Sequence, residues 1–267
     1  MLVAAALAVG LVVGLVAGLT GVGGGVLMVP FLYVLYGRLQ VEPRTATVLA
    51  HATSLAVIVP TAIRGLIGYR GSQLIRWRFA LPLALSAAVS AALTAQIATH
   101  LPAAALRLGF SGLLFAVAAD LLLRRGGYGE DLPEPTEART LLAVLLGIPI
   151  GMVSAALGIG GGIPATMGMY YLLRVPVRMI AATSLGFIIF TAAAGSASYM
   201  LQSPGPLPFA GTVGYVDVAH GLPLALGAVV AAPLGVRFNR STSAGTLRRI
   251  FGVVLAVVGV LLLVQNL

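Results

Sequence analysis

The sequence predicts an all-α polytopic membrane protein made of two inverted-topology repeats, each with a glycine-broken helical hairpin and three transmembrane helices. Three observations lead to this prediction. The 267 residues are 59% hydrophobic and 9% charged, with a mean hydropathy of +1.05, whereas soluble domains carry about 25% charged residues. Apolar segments follow one another along the whole chain. Short blocks of the first half recur in the same order in the second half.

The apolar segments alternate with short polar loops. A membrane crossing by a helix needs about 20 apolar residues, and most segments come close to this length. The second segment of each half is shorter. The first segment lacks a basic region and a cleavage site, so we expect it to be retained as a helix. The segments cover 2–19, 22–36, 45–63, 79–98, 103–123, 140–156, 162–173, 179–200, 218–235 and 245–265.

The polar stretch 124–139 (RRGGYGEDLPEPTEAR) divides the chain into repeat 1, residues 1–123, and repeat 2, residues 140–267. We expect this stretch to be a cytoplasmic linker. Repeats of this kind are common in transporter folds. The matched blocks are GVGGG at 21–25 with GIGGG at 158–162, ATSL at 52–55 with 182–185, LPLAL at 81–85 with 222–226, and LR at 106–107 with 247–248.

The arginines decide between two topologies. All sixteen basic residues are arginine. If each glycine-broken pair of segments crosses the membrane once, the arginines divide seven to nine between the faces. If each pair is a hairpin, only Arg38, Arg44 and Arg107 lie on one face and thirteen lie on the other. The positive-inside rule favours the second division.

Hairpins give each half an odd number of crossings, so the second half is predicted to be inverted relative to the first. Both termini are then expected outside a cytoplasmic (inner) membrane. The parity argument leaves open whether each hairpin spans the membrane fully or only re-enters to its middle. Helices of 12–15 residues cover only about 18–23 Å, which favours short second arms.

The two glycine clusters are candidate substrate-binding tips. Irregular backbone at membrane depth persists only where protein buries it or a wet cavity lines it. Free N–H groups at the start of a helix attract anions, and glycines let an oxyanion come close. The alternative interpretation is close helix packing by small residues. The predicted binding residues are Gly21, Gly23, Gly24, Gly25, Thr53 and Ser54, with Gly158, Gly160, Gly161, Gly162, Thr183 and Ser184 in the second half.

A few ionisable residues lie in or beside the apolar segments. His51 is a candidate for proton coupling because imidazole titrates near neutral pH, although a locally hydrogen-bonded histidine fits the sequence equally well. Asp120 is placed to pair with Arg124 one turn later. Asp217 is expected to act as the N-terminal charge of a helix, and Arg64 to extend toward the membrane surface.

Several function classes have no support in the sequence. There is no cysteine and therefore no thiolate metal site. The three histidines are scattered, and no Walker motif is present. We therefore expect neither an enzyme nor a metal or cofactor site. The arginines lie in short loops between apolar segments, a pattern that fixes membrane orientation and does not indicate nucleic-acid binding.

The doubled motif resembles the TauE/SafE sulfite-exporter family, also called TSUP. The resemblance rests on LTGVGGGVLMVPFL (19–32) with ATSL (52–55), and on SAALGIGGGIPATMG (154–168) with AATSL (181–185). It implies a transporter of small anions such as sulfite, thiosulfate, sulfoacetate and other organosulfonates, with the glycine clusters and Thr-Ser pairs as the substrate region. The halves differ, because Leu157 stands where the first half has Thr20, with Ser154 nearby.

The expected function is therefore secondary transport of a small, sulfur-containing anion by alternating access. Its expected partners are the anion, the lipid bilayer and a coupling ion such as a proton. An anion channel with the same tips is the alternative, and it requires a continuous wet pore. Saturable flux coupled to a second ion would favour the transporter.

Overall fold

The computed structural model of the chain describes residues 2–123, 140–242, 246, 252–253 and 255–260. The predicted linker 124–139, Arg124 and most of the last apolar segment lie outside these residues. The helices are α1 (Leu2–Thr20), α2 (Gly25–Arg38), α3 (Pro43–Ile67), α4 (Trp77–Ala98), α5 (Ala103–Leu123), α6 (Thr140–Leu157), α7 (Gly162–Tyr171), α8 (Val177–Met200) and α9 (Val218–Ser241). A two-stranded antiparallel ribbon, β1 (Thr212–Val213) and β2 (Val216–Asp217), precedes α9.

Seven of these helices, all except α2 and α7, are long and apolar enough to cross a membrane. The all-α polytopic membrane fold is thus confirmed. Helices α3 and α8 are the most deeply buried of the seven, so they form the centre of the molecule. With 14 and 10 residues, α2 and α7 are about 21 and 15 Å long. Each covers only part of a hydrocarbon core of about 30 Å.

Helix α1 runs parallel to α9 in close backbone contact. Small residues allow this approach, since a Cβ atom added to Gly14 would lie 2.1 Å from the carbonyl oxygen of Ala228. Close contacts between small residues are a common basis of membrane helix packing. At the far end, the Asn239 side chain donates to the carbonyl oxygen of Leu19 at 2.6 Å. The successive contacts pair Gly10, Gly14 and Gly18 with Leu224, Ala228 and Ala232.

Helix α2 turns back along the direction of α1. Its last turn carries Tyr36, whose hydroxyl group donates to Asp217 at the beginning of α9. The end of α1 lies near the end of α9, whereas the end of α2 lies near the start of α9. Helices α1 and α2 therefore form a hairpin whose bend contains the first glycine cluster.

The second half contains an equivalent hairpin. Helix α6 runs parallel to α4, with Gly147 against the carbonyl oxygen of Leu83 and Gly151 against that of Ala87. Helix α7 then returns, and the hydroxyl group of Tyr171 at its end donates to Asp120 near the end of α5 at 3.0 Å.

These contacts define two faces of the molecule. Face I carries the start of α1 and the loops 39–42, 99–102 and 201–217, and face II carries the loops 68–76 and 172–176 and the end of α9. The α1–α2 hairpin starts from face I and the α6–α7 hairpin from face II. Arg38, Arg44 and Arg107 lie at face I, and the other described arginines lie at or near face II. Which face is cytoplasmic stays a prediction.

The beginning of α3 is fixed at face I by capping. Glu42 accepts the backbone N–H groups of Arg44 at 3.0 Å and Thr45 at 2.8 Å. These two bonds favour the ionised carboxylate, so they hold the pKa of Glu42 below its usual value. The Arg44 side chain donates through Nε and Nη2 to the carbonyl oxygen of Thr99, which ties α3 to the end of α4.

Two exposed glutamines offer a matched test of the orientation. Gln40 lies at face I and Gln73 at face II, and both have a positive φ, of 56° and 54°. In this cysteine-free chain, Gln40→Cys is expected to react with an impermeant thiol reagent added outside intact cells. Gln73→Cys is expected to react only after the membrane is opened. Equal reactivity of both thiols from outside would contradict the hairpin topology.

Candidate functional site

Each hairpin bends through glycines in a left-handed conformation. The φ angles are 72°, 90° and 80° at Gly21, Gly23 and Gly24. In the second half, Gly158, Gly160 and Gly161 have φ angles of 67°, 71° and 75°. Other residues pay about 1–2 kcal/mol for this backbone geometry. The GxGG pattern is therefore required by the shape of the bend itself.

The two bends, called the tips below, touch each other at the centre of the molecule. Tip 1 is residues 21–25 and tip 2 is residues 158–162. A Cβ atom added to Gly25 would lie 2.7 Å from the carbonyl oxygen of Gly158, and one added to Gly162 would lie 2.4 Å from that of Val22. The fourth glycine of each tip thus lets the two backbones cross without a side chain between them.

The tips also bring together two helix N-termini. The first backbone hydrogen bonds of α2 run from Leu27 and Met28 to the carbonyl oxygen of Gly24, and α7 begins with a 2.9 Å bond from Ala165 to Gly161. The preceding N–H groups of each helix have no acceptor within the helix. Helix α2 leads away to face I and α7 to face II, so their positive dipole ends converge on the tips.

Two isoleucines close the space in front of both tips. A Cβ atom on Gly23 would lie 3.2 Å from Ile58 and 3.4 Å from Ile188, and one on Gly160 would lie 3.1 and 3.2 Å from the same side chains. All eight predicted glycines are buried. The structure therefore shows a closed conformation at the tips.

Ile58 and Ile188 were not among the residues predicted from the sequence. Each stands four residues after the serine of its Thr-Ser pair, on the next turn of α3 or α8. Each isoleucine lies one helical turn after a Thr-Ser pair that both halves share. This spacing is the sequence signal that could have identified both side chains.

The two serines of the Thr-Ser pairs differ in their bonding. Ser54 donates to the carbonyl oxygen of Gly158 at 2.8 Å, so α3 holds tip 2 directly. Ser184, its counterpart on α8, is fully buried and its hydroxyl group has no hydrogen-bond partner among the described residues. A buried hydroxyl without a partner carries a desolvation cost. Ser184 is thus a donor free to bind a ligand.

The two threonines bind other loops instead of the tips. The Oγ1 atom of Thr53 accepts the backbone N–H of Asp217 at 2.9 Å. That of Thr183 accepts the backbone N–H of Arg76 at 3.1 Å. Asp217 precedes α9 and Arg76 precedes α4, so each threonine fixes the start of a helix. The structure brings Ser54 to tip 2, and it places the threonine hydroxyl groups against the loops before α9 and α4.

His51 is fully buried beside tip 2. A Cβ atom on Gly158 would lie 2.5 Å from the Cα atom of His51. The Nε2 atom of His51 is hydrogen-bonded to the hydroxyl group of Tyr33, and its ring stacks on Phe110 with centroids 6.4 Å apart. Its Nδ1 atom makes no hydrogen bond of ordinary geometry, although the carbonyl group of Ala156 lies near it. A role in proton coupling stays a prediction.

Two surface clefts lie away from the tips. One, of about 480 Å³, opens between the start of α3 and the loop after α8 at face I. The other, of about 630 Å³, lies beside the loop after α3 at face II. The residues that line these two clefts include none of the tip glycines. Neither cleft gives access to the tips in this conformation.

Comparison with known proteins gives one family and several relatives. The sequence model of the family "Sulfite exporter TauE/SafE" matches residues 6–262. The "Probable membrane transporter protein MJ0441" of Methanocaldococcus jannaschii is 24% identical over 243 residues, covering 91% of this chain and 88% of the relative. YunE of Bacillus subtilis, also named a probable membrane transporter protein, is 23% identical over 262 residues, with 92% of both chains covered. No solved structure matches the chain.

The two serines make opposite predictions for stability. Ser54→Ala removes the bond to Gly158 and is expected to destabilise the protein by about 0.5–1.5 kcal/mol. Ser184→Ala removes an unpartnered buried hydroxyl and is expected to leave the melting temperature unchanged or raised. Thermal unfolding of the purified variants in detergent measures both effects. A larger loss of stability in Ser184→Ala than in Ser54→Ala would show that the two hydroxyl groups are assigned the wrong way round.

Proposed function

The chain belongs to the sulfite exporter TauE/SafE family and is a membrane transporter, and we propose that it moves small, sulfur-containing anions across the cytoplasmic membrane. The proposed substrates are sulfite, thiosulfate, sulfoacetate or other organosulfonates, carried by alternating access. The crossing of two glycine tips at the meeting point of two helix N-termini supports this proposal most strongly.

The tips suit an anion because they offer backbone N–H groups and no side-chain charge. The amides at the starts of α2 and α7 have no helical acceptor, and glycine leaves them open to a large oxygen atom. A sulfonate or sulfite group presents three oxygen acceptors to such donors. The free hydroxyl group of Ser184 supplies a further donor near tip 1, since α8 contacts that tip where Gly21 meets Ala181.

The hairpins also offer a route to alternating access. Tip 1 is the bend of the hairpin that starts from face I, and tip 2 is the bend of the hairpin that starts from face II. Ile58 and Ile188 each contact both tips. Separation of one tip from this isoleucine pair would open the centre to a single face, while the other tip stays closed. Such an exchange needs two states of similar free energy that the substrate can bias.

An anion channel using the same tips is the competing function. A channel requires a continuous wet path, whereas two aliphatic side chains cover both tips here. The closed centre favours a transporter. Flux that does not saturate with anion concentration would instead support the channel.

The isoleucine pair gives a sharper test than the glycines. A leucine at Gly24 would take a positive φ of 80°, with its Cβ atom 2.6 Å from Val13, so loss of folding would hide any loss of binding. Ile58→Val and Ile188→Val each remove one methylene, at a cost of about 0.5–1.5 kcal/mol. Both proteins are therefore expected to fold.

Each of these two variants is expected to raise the rate of sulfoacetate transport relative to sulfite by about tenfold, the effect of one methylene in a binding pocket. Flux into proteoliposomes measures the ratio. Ile63→Val is the matched control, because Ile63 lies on the same helix with 42% of its surface exposed, and its ratio is expected to stay at the wild-type value. An unchanged ratio of sulfoacetate to sulfite transport in both isoleucine variants, with normal folding, would place the substrate elsewhere. Absence of flux for every sulfur anion in the wild type would overturn the proposed substrate class.

A further inference from the structure

A buried carboxylate lies at face I, outside the tips. Asp217 is fully buried at the start of α9. Its Oδ1 atom accepts the backbone N–H of His220 at 3.1 Å. Its Oδ2 atom accepts the hydroxyl group of Tyr36 at 3.1 Å and lies 2.7 Å from Nδ1 of His220. A carboxylate in an apolar interior is costly unless charge and hydrogen bonds compensate it.

The hydrogen bonds around Asp217 form a closed ring in which each group donates to the next. The backbone N–H of Asp217 donates to Oγ1 of Thr53 at 2.9 Å. Oγ1 of Thr53 lies 3.3 Å from the hydroxyl group of Tyr36. Because the Tyr36 proton points to the carboxylate, Thr53 must donate to Tyr36. The ring and His220 thus give the carboxylate three hydrogen-bond contacts, one to Tyr36 and two to His220.

Side chains from three helices form a cluster at this carboxylate. Tyr36 from α2 and His220 from α9 contact it, and Thr53 from α3 lies 3.3 Å from the Tyr36 hydroxyl group. Phe209, in the loop before α9, stacks on Tyr36 with centroids 6.0 Å apart and meets the edge of His220 at 5.5 Å. Among these described neighbours, His220 is the one that can carry a positive charge. One proton on its imidazole ring therefore neutralises the pair.

The matching position at face II has no such pair. Arg76 donates its backbone N–H to Thr183 just as Asp217 donates to Thr53. LPLAL begins five residues after each of them, at Leu81 and at Leu222, so the two positions correspond. The position at face I has an acid beside an imidazole, and the corresponding position at face II has an arginine. These two positions thus differ in their ionisable side chains.

The cluster is connected to both tips and to solvent. Tyr36 lies in the last turn of α2, the arm that begins at tip 1. Thr53 precedes Ser54, which holds tip 2. His220 is 16% exposed, so a proton can reach it from face I. The ring of His51, in contrast, is fully buried against Tyr33 and Phe110.

We propose that Asp217 and His220 together bind one proton from face I and that the binding of this proton is coupled to anion movement. This inference rests on the proposed function for the coupling, and on the described geometry for the proton site. Protonated His220 holds the ribbon and α9 against α2 and α3. Loss of the proton leaves a buried charge with neutral donors only, which loosens this contact.

The first experiment needs no anion. Val216 is buried in the ribbon next to Asp217 with 2% exposure, so the thiol of Val216→Cys reports opening of the cluster. Its labelling rate is divided by that of the exposed thiol of Gln40→Cys at the same pH, because the thiolate fraction of any cysteine rises with pH. This ratio is expected to rise several-fold from about pH 5 to about pH 8, the range in which histidine loses its charge. Adding Asp217→Asn or His220→Gln is expected to remove this dependence. Asparagine also caps helices well, so Asp217→Asn is expected to fold.

The matched control is His100→Gln, which changes a histidine in an exposed loop of the same face. It is expected to keep the wild-type dependence on pH. A labelling ratio that does not change with pH in Val216→Cys alone would overturn the proton site, and so would an unchanged dependence after adding Asp217→Asn.

The second experiment tests the coupling. Proteoliposomes loaded with a pH-sensitive dye receive a gradient of sulfoacetate, and internal pH and anion content are followed together. The wild type and His100→Gln are expected to move protons with the anion, whereas Asp217→Asn and His220→Gln are expected to move anion with at most a small fraction of that proton flux. Two outcomes would overturn the coupling and leave the proposed function standing. One is wild-type anion flux without protons, and the other is an unchanged ratio of proton flux to anion flux in Asp217→Asn. If the wild type moves no sulfoacetate, the proposed function fails for this anion, and the labelling result alone decides the proton site.

Discussion

The contact between two glycine bends in the middle of the molecule constrains everything around it. Backbone that is not helical survives at membrane depth only where protein or a wet cavity satisfies it. Here each bend lies on the backbone of the other, with Gly25 against Gly158 and Gly162 against Val22. Such an approach leaves no space for any Cβ atom. It also fixes where α2 and α7 begin, and hence where their unpaired amides converge.

The central helices α3 and α8 support this contact in matching ways. His51 on α3 lies against Gly158, and Ala181 on α8 lies against Gly21, so each helix contacts the tip of the other half. Ile58 and Ile188 lie one turn beyond the serine of each pair and cover both tips. Because both helices contact both tips, movement of one hairpin changes the packing of the other. The pairs α1–α9 and α4–α6, joined through glycine, alanine and serine, form a closely packed frame around this contact.

The sequence predicted the helices closely, because apolar length and glycine breaks are properties of local sequence. It also predicted the bends, where glycine tolerates three left-handed residues within four positions. The sequence did not predict the hydrogen-bond partners of the hydroxyl groups. Thr53 and Thr183 were expected near the anion, but their side chains hold the starts of α9 and α4, which requires knowing which loop returns to which helix. Asp217 was expected to cap α9, and it does. Its bond to Tyr36 joins residues 181 positions apart, a separation that no local pattern specifies.

The differences between the halves matter as much as their likeness. Two halves of identical sequence and opposite orientation would give inward-open and outward-open states of equal free energy. Only the gradients would then set the direction of transport.

The two halves of this chain are not identical, and they differ at defined positions. Thr20 accepts the N–H of Val22 at tip 1, where tip 2 has Leu157. Ser54 is bonded and Ser184 is free. An aspartate caps α9, whereas Arg76 precedes α4. In the proposed exchange, such differences would give the two states unequal free energies, and a ligand would shift the balance only by its differential affinity for the two. Under the proposed alternating access, the shared glycines would permit the exchange between states, and the unmatched polar residues would decide how anion and proton bias it.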